Sequence, residues 1–217
     1  MIALVRYLFT VLLLSQRYLA PVLLFTGLLA VLTSNDSGPL TATYGSAAGA
    51  MLVCSVWLTM ALVGLEDRAH RSVVVVNAGG HPRALAGWVV TAVLACLPPA
   101  AAGLALPLVF GSHSPTPADL LLGLEAQLTC AFTGIAIGLV CSPLVFRRQG
   151  YALVLALLLL AAVLLARTRS PVGALLVDLQ SSSRSADLLG STAVLLAAAA
   201  GVLAAGAAIT YTVAVRK

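Results

Sequence analysis

Apolar residues fall in long runs separated by short polar breaks, without the strict alternation of a half-buried strand. Six runs approach the roughly 20 residues a helix needs to cross a bilayer: 18–33, 45–65, 84–110, 117–146, 151–166 and 188–215. The first is short, so its ends need snorkelling side chains or local thinning. The second is stopped by Glu66-Asp67-Arg68-Ala69-His70-Arg71. Pro98-Pro99 and Pro107 interrupt the third and predict a kink or a broken outer half, since each proline removes a donor and crowds the preceding turn. The fourth has the best-marked start: Thr116 to cap, Pro117 for the first helical position and Asp119 in the positive first turn. Arg147-Arg148-Gln149-Gly150 makes a tight link to the fifth. In the outer loop 167–187, Ser170-Pro171 fits the start of a short helix over 172–179, on or dipping into the outer leaflet, and a polar linker is the competing reading. No repeat is visible.

Residues 1–17 stand apart. Residues 2–14 resemble a signal-peptide core, but no small-residue cleavage site follows. On a helical wheel Arg6, Thr10 and Arg17 fall within roughly 40° of one another, which predicts an amphipathic helix lying along the membrane face, with a signal peptide or an extension of the first span as the alternatives.

Composition turns this pattern into a class. Of 217 residues 61% are hydrophobic and 9% charged, which excludes an ordinary soluble domain and leaves no room for a separate soluble catalytic one. The reading is an all-α membrane protein with six transmembrane helices and an N-terminal interfacial helix. Cations set its orientation: Arg6, Arg17, Arg68, Arg71, Arg83, Arg147, Arg148, Arg216 and Lys217 fall on one side and Arg167, Arg169 and Arg184 on the other. Nine against three places both termini in the cytosol. Cys54, Cys96, Cys130 and Cys141 lie inside apolar runs with no C-x-x-C spacing and read as small buried hydrophobes. No dense basic and aromatic stripe exists outside the spans to bind nucleic acid.

Catalytic chemistry finds little footing. A P-loop needs a lysine after its last glycine, and the only lysine is Lys217, so this chain is not its own P-loop ATPase. His70, His81 and His113 are scattered without a zinc-binding spacing, and Ser112 beside His113 is no nucleophile and base pair. No catalytic, cofactor-binding or metal-ligating residue is assigned. Glu125 lies about two turns into the fourth span, where an ionised carboxylate is costly unless paired or wet. It sits either on a polar substrate or ion pathway or near the outer interface, bonded to a neighbouring helix. Gly45 with Gly49 and Gly134 with Gly138 are small-xxx-small pairs that suit close helix packing.

The loop 66–83 is the most informative. Glu66 with His70 and Asp67 with Arg71 are spaced i,i+4 for a short helix, Val73 to Val76 add an apolar face, and Ala78-Gly79-Gly80-His81-Pro82 supplies a stop. A charged and apolar helix below the membrane suits docking to a cytosolic partner. A loop resting on lipid headgroups is the plainer alternative.

The assembled pattern resembles the permease subunit of ABC-2-type ABC transporters: an elbow helix at Met1 to Arg17, six spans, a cytosolic loop between spans two and three, and an outer segment before span six. Glu66-Asp67-Arg68 followed by Asn77-Ala78-Gly79-Gly80 is similar to how the coupling loop of that family reads. The resemblance implies an ATP-driven exporter subunit in a plasma (inner) membrane. Its partners would be cytosolic ATP-binding cassette subunits, a second permease copy or paralogue, and membrane lipids. It places ATP and magnesium on the partner, with no cofactor in this chain, and docking of the ATPase subunit at Glu66, Asp67, Arg68, His70, Arg71, Gly79 and Gly80. Rivals are an ion-coupled carrier or channel subunit using Glu125 and a membrane-embedded lipid-modifying enzyme. Abundant alanine, leucine and valine, and arginine in place of lysine, suggest a bacterial source.

Overall fold

A computed structural model describes residues 1–33, 40–66, 68–110, 116–146, 149–166, 169–180 and 185–216. Every regular element in them is a helix: α1 (Ile2–Ser15), α2 (Leu19–Thr33), α3 (Leu40–Val63), α4 (Arg68–Ala78), α5 (His81–Phe110), α6 (Pro117–Val140), α7 (Gln149–Leu165), α8 (Pro171–Gln180) and α9 (Ser185–Val215). Four of these, α3, α5, α6 and α9, are long and apolar enough to cross a membrane, or five if α1 and α2 form one bent span. These helices mark an integral membrane protein. Their outward surfaces carry large apolar side chains, such as Leu153, Leu157, Leu158 and Leu165 on α7, that lipid can cover and water cannot.

The centre of the bundle is α3 against α6, with α9 on the other side of α6. Two-thirds of the most apolar stretch of α3 and of α6 is buried (67% each), against 17% for α9, so α3 and α6 are the core and α9 turns most of its surface outward. α5 flanks α3 and α6, α2 packs on α3, and α7 touches little beyond α6 and α8. α2 has 15 residues. At 1.5 Å per residue it is roughly 22 Å long, short of the roughly 30 Å hydrocarbon core.

Gln16, at φ 56°, ends α1, and the chain bends by 73° into α2. Leu8 and Leu12 are buried, and Leu4 and Leu8 press on Gly87 of α5, while Arg6 and Thr10 are exposed on the opposite face of α1 and Arg17, exposed too, lies past the end of the helix. The polar stripe expected for this segment therefore has a matching apolar stripe, and that stripe lies on protein.

Several boundaries differ from the sequence pattern. α3 begins at Leu40 rather than 45. α5 is helical through Pro98, Pro99 and Pro107, so its outer half is not broken off: neighbouring helices can hold a proline-bearing span together. α6 stops at Val140 rather than near 146, because Pro143 disfavours helix at Ser142 and residues 141–145 form turns instead. Its start is as expected, a full capping box between Thr116 and Asp119. α8 spans the expected short helix, begun by Ser170 Oγ accepting from the Gly173 amide. It is tucked into the bundle rather than spread on its surface, with Val172, Leu175 and Leu179 fully buried.

Candidate functional site

The C-terminal end of α3 is where separate elements are tied together. A helix end leaves its last carbonyls without partners and carries partial negative charge, so cations are favoured there. Arg71 of α4 sends Nη2 to the carbonyls of Val63 (3.1 Å) and Glu66 (3.2 Å). From the corner between α1 and α2, Arg17 Nη1 donates to the carbonyl of Gly64 (3.2 Å). Both attachments converge on one helix terminus.

Glu66 itself is not on α4, which begins at Arg68, so the one-helix i,i+4 geometry expected with His70 does not apply and no hydrogen bond joins the two. Its carboxylate is buried, and both oxygens lack a hydrogen-bond partner among the described residues. Burial pushes its pKa above the ordinary carboxylate value, while the nearby charges of Arg71 and His70 pull the other way. His70 is exposed. Asp67 lies outside the described residues, as do the side chain of Arg68 and the proposed Asp67–Arg71 pair.

α4 ends in a Schellman motif: the Gly80 amide donates to Val75 (2.9 Å) and the Gly79 amide to Val76 (3.1 Å). Gly79 has φ +79° and Gly80 φ +124°, conformations that side-chain-bearing residues rarely adopt. α5 starts at the next residue, His81, so α4 and α5 are joined without slack.

From that end, α3 packs directly against α6. A Cβ on Gly138 would stand 2.7 Å from Thr59 Cβ and 2.9 Å from the Val56 carbonyl, and one on Gly134 would overlap Ser55 Oγ and stand 2.8 Å from the Leu52 carbonyl. α6 in turn meets α9 closely at Gly206, whose missing Cβ would lie 3.1 Å from that of Ala136. Gly45 instead faces Leu179 of α8 at 3.4 Å, and Gly49, expected on a packing face, has nothing within 4 Å of where its Cβ would be.

Glu125 is half-buried and accepts a hydrogen bond at Oε2 from Thr192 of α9. Gln127 and Tyr44, both fully buried, leave the Gln127 amide and the Tyr44 hydroxyl without partners among the described residues. Gln127 lies over Gly103 of α5, and Tyr44 over Gly123 of α6, one turn from Gln127 on the same face. Sequence reading passed over this pair; a glutamine inside an apolar run was the available signal.

The four cysteines are free and buried. His113 and Ser112 lie outside the described residues, and no group of acidic, histidine or cysteine side chains that could hold a metal exists among the described ones. No family model, curated protein or solved structure matches the chain.

Proposed function

We propose that this chain is the transmembrane permease subunit of an ATP-driven exporter of the ABC-2 type, energised by cytosolic ATPase subunits on separate chains. One observation carries the reading. α4 is a short helix outside the long apolar helices, held by Arg71 to the last carbonyl of α3 and to that of Glu66 in the turn after it, and α3 is keyed to α6 at Gly134 and Gly138. A push on α4 would thus move the packed centre as a rigid body, the type of change by which bundles switch between discrete arrangements.

In this reading α1 is the elbow helix along the cytosolic face, α2 and α7 are short crossings, α3, α5, α6 and α9 complete six spans, and both termini are cytosolic in a bacterial inner membrane. ATP and magnesium belong to the partner. Docking falls on the α4 segment, from Glu66, Asp67, Arg68, His70 and Arg71 to Gly79 and Gly80, and a second permease copy or paralogue completes the pathway. Purification from the native membrane tests it: a cytosolic ATPase recovered in stoichiometric amount is the expected result. The double variant Asp67→Arg with Arg71→Asp should uncouple ATP hydrolysis from transport. A purified chain that transports alone without nucleotide would end the reading.

A second reading rests on the Glu125–Thr192 bond and the unpartnered Gln127 amide, polar groups at the depth where a carrier would bind its ion. An ion-coupled carrier would lose transport in Glu125→Gln and need no ATPase.

A further inference from the structure

A cavity of about 680 Å³ opens at the end of the bundle where α4 meets α5, the turn after α6 and the last turns of α9. Its floor is apolar, formed by Leu85, Trp88 and Leu144, and its rim carries Arg71, His81 and Tyr211. No acidic residue lines it among the described residues; the Glu66 carboxylate is buried elsewhere beside Arg71 and is not part of the wall. The volume falls in the range of roughly 300–1,000 Å³ that encloses a small organic ligand, enough for a polar head and the first carbons of a chain. Tryptophan and tyrosine with an arginine at helix ends are the residues that sit at headgroup depth.

We propose that this cavity binds the phosphate headgroup and upper acyl carbons of an anionic phospholipid drawn from the adjoining leaflet. The charge of Arg71, whose Nη2 stays on the Val63 and Glu66 carbonyls, draws the phosphate to the rim, and the floor of Leu85, Trp88 and Leu144 takes the first methylenes. Trp88 is almost wholly buried by protein yet borders the cavity, so an occupant touches it directly. The cytosolic leaflet is the richer in anionic lipid, and the charge rule puts this end of the bundle there. The inference needs only the membrane setting and is independent of the transporter reading.

The chain has two tryptophans, and the other, Trp57, is exposed on α3. Trp57→Phe therefore leaves Trp88 as the sole emitter. The full-length variant is reconstituted in phosphatidylcholine vesicles containing, at equal mole fraction, either phosphatidylglycerol or phosphatidylcholine brominated high on the acyl chain, and quenching of Trp88 is read. The expected result is an about fivefold stronger association with the anionic lipid, the effect of one well-placed cation. Arg71→Gln should remove the preference. Because Arg71 also holds the end of α3, Ala214→Leu, which fills the cavity from α9, is the companion variant and should reduce quenching with Arg71 intact. Equal quenching by the two lipids would overturn the proposal, as would a preference that survives both variants. Absence of quenching by either lipid would also overturn it, and would leave the cavity to a protein segment. Loss of the preference on adding inorganic phosphate to the buffer would overturn the lipid as source, since the cavity would then read a soluble anion.

Discussion

Thr192 of α9 donates its hydroxyl to Oε2 of Glu125 on α6, joining helices that are 67 residues apart at this point in the chain. The same oxygen lies 3.0 Å from the Leu188 carbonyl, so its single proton is shared between its own helix and Glu125. Interhelical hydrogen bonds in membranes contribute roughly 0.6 kcal/mol on average and up to about 1.7. Thr192→Val should therefore lower unfolding stability in mixed micelles by about 0.6–1.7 kcal/mol. Glu125→Gln keeps an acceptor at the same position and should lose less. The double variant should show coupling of the same sign and size, and a Thr192→Val protein as stable as the parent would remove the bond from the account.

Where α3 and α6 cross, the distances at Gly134 and Gly138 leave no space for a methyl group. Gly138→Ala would force Thr59 or the Val56 carbonyl aside, and backbone yields little. Overpacking of this sort costs about 1–3 kcal/mol. Gly49→Ala is the internal control: its Cβ meets open space, and exchanging a helical glycine for alanine is worth about 0.5–1 kcal/mol in favour of the helix. Thermal unfolding in one detergent should move down for Gly134→Ala and Gly138→Ala and up for Gly49→Ala.

These residues also show what the chain reveals before folding. The apolar runs and the Thr116 and Asp119 cap are local signals, and helices appear where they predict them, with ends shifted by a few residues. The four glycines looked alike in sequence, because a small-xxx-small spacing says that two residues share a face without saying what the face meets. Only the assembled bundle separates Gly138, against Thr59, from Gly49, against nothing. The arginines illustrate the same point. The charge pattern led to the expectation that Arg17 and Arg71 share one side of the membrane, but the bonds to Val63, Gly64 and Glu66 carbonyls depend on how the chain turns after α3. Turns of that kind are set by tertiary packing, and so is the burial of Glu66 beside Arg71, five positions on, which the spacing had marked as the partner of Asp67.

Glu66 gives that burial a pH signature. Its pKa is raised in the folded protein above the ordinary value of 4.5, first by desolvation and despite the opposing charges of Arg71 and His70. The folded state thus favours the protonated acid. Below the ordinary value both states are protonated and nothing is lost; as pH rises from there to the folded pKa, the unfolded chain ionises first and stability falls, then levels off. Glu66→Gln is neutral throughout. The stability difference between variant and parent should grow in favour of the variant over that window and stay flat above it. Unfolding midpoints of both proteins across acidic to neutral pH provide the check, and parallel curves would contradict it.

Gly79 tests whether the attachment of α4 depends on how that helix ends. The residue holds φ +79° and closes the Schellman motif, and a Cβ there would stand 2.8 Å from Arg83 Nη1. A non-glycine residue in the left-handed region costs roughly 1–2 kcal/mol, and the nearby arginine can swing away, so backbone conformation is the larger part of the penalty. The long helices do not share that strain. Gly79→Ala should therefore loosen α4 by about 1–2 kcal/mol while leaving global unfolding nearly unchanged. Hydrogen exchange distinguishes the two levels: amides of 72–78 should exchange faster in the variant, and those of α3 and α6 at the parent rate. Gly79→Asn, whose side chain tolerates the left-handed region better, should recover part of the protection. Unchanged exchange in α4 would mean that Arg71 and the packing on α5 hold the helix without its cap.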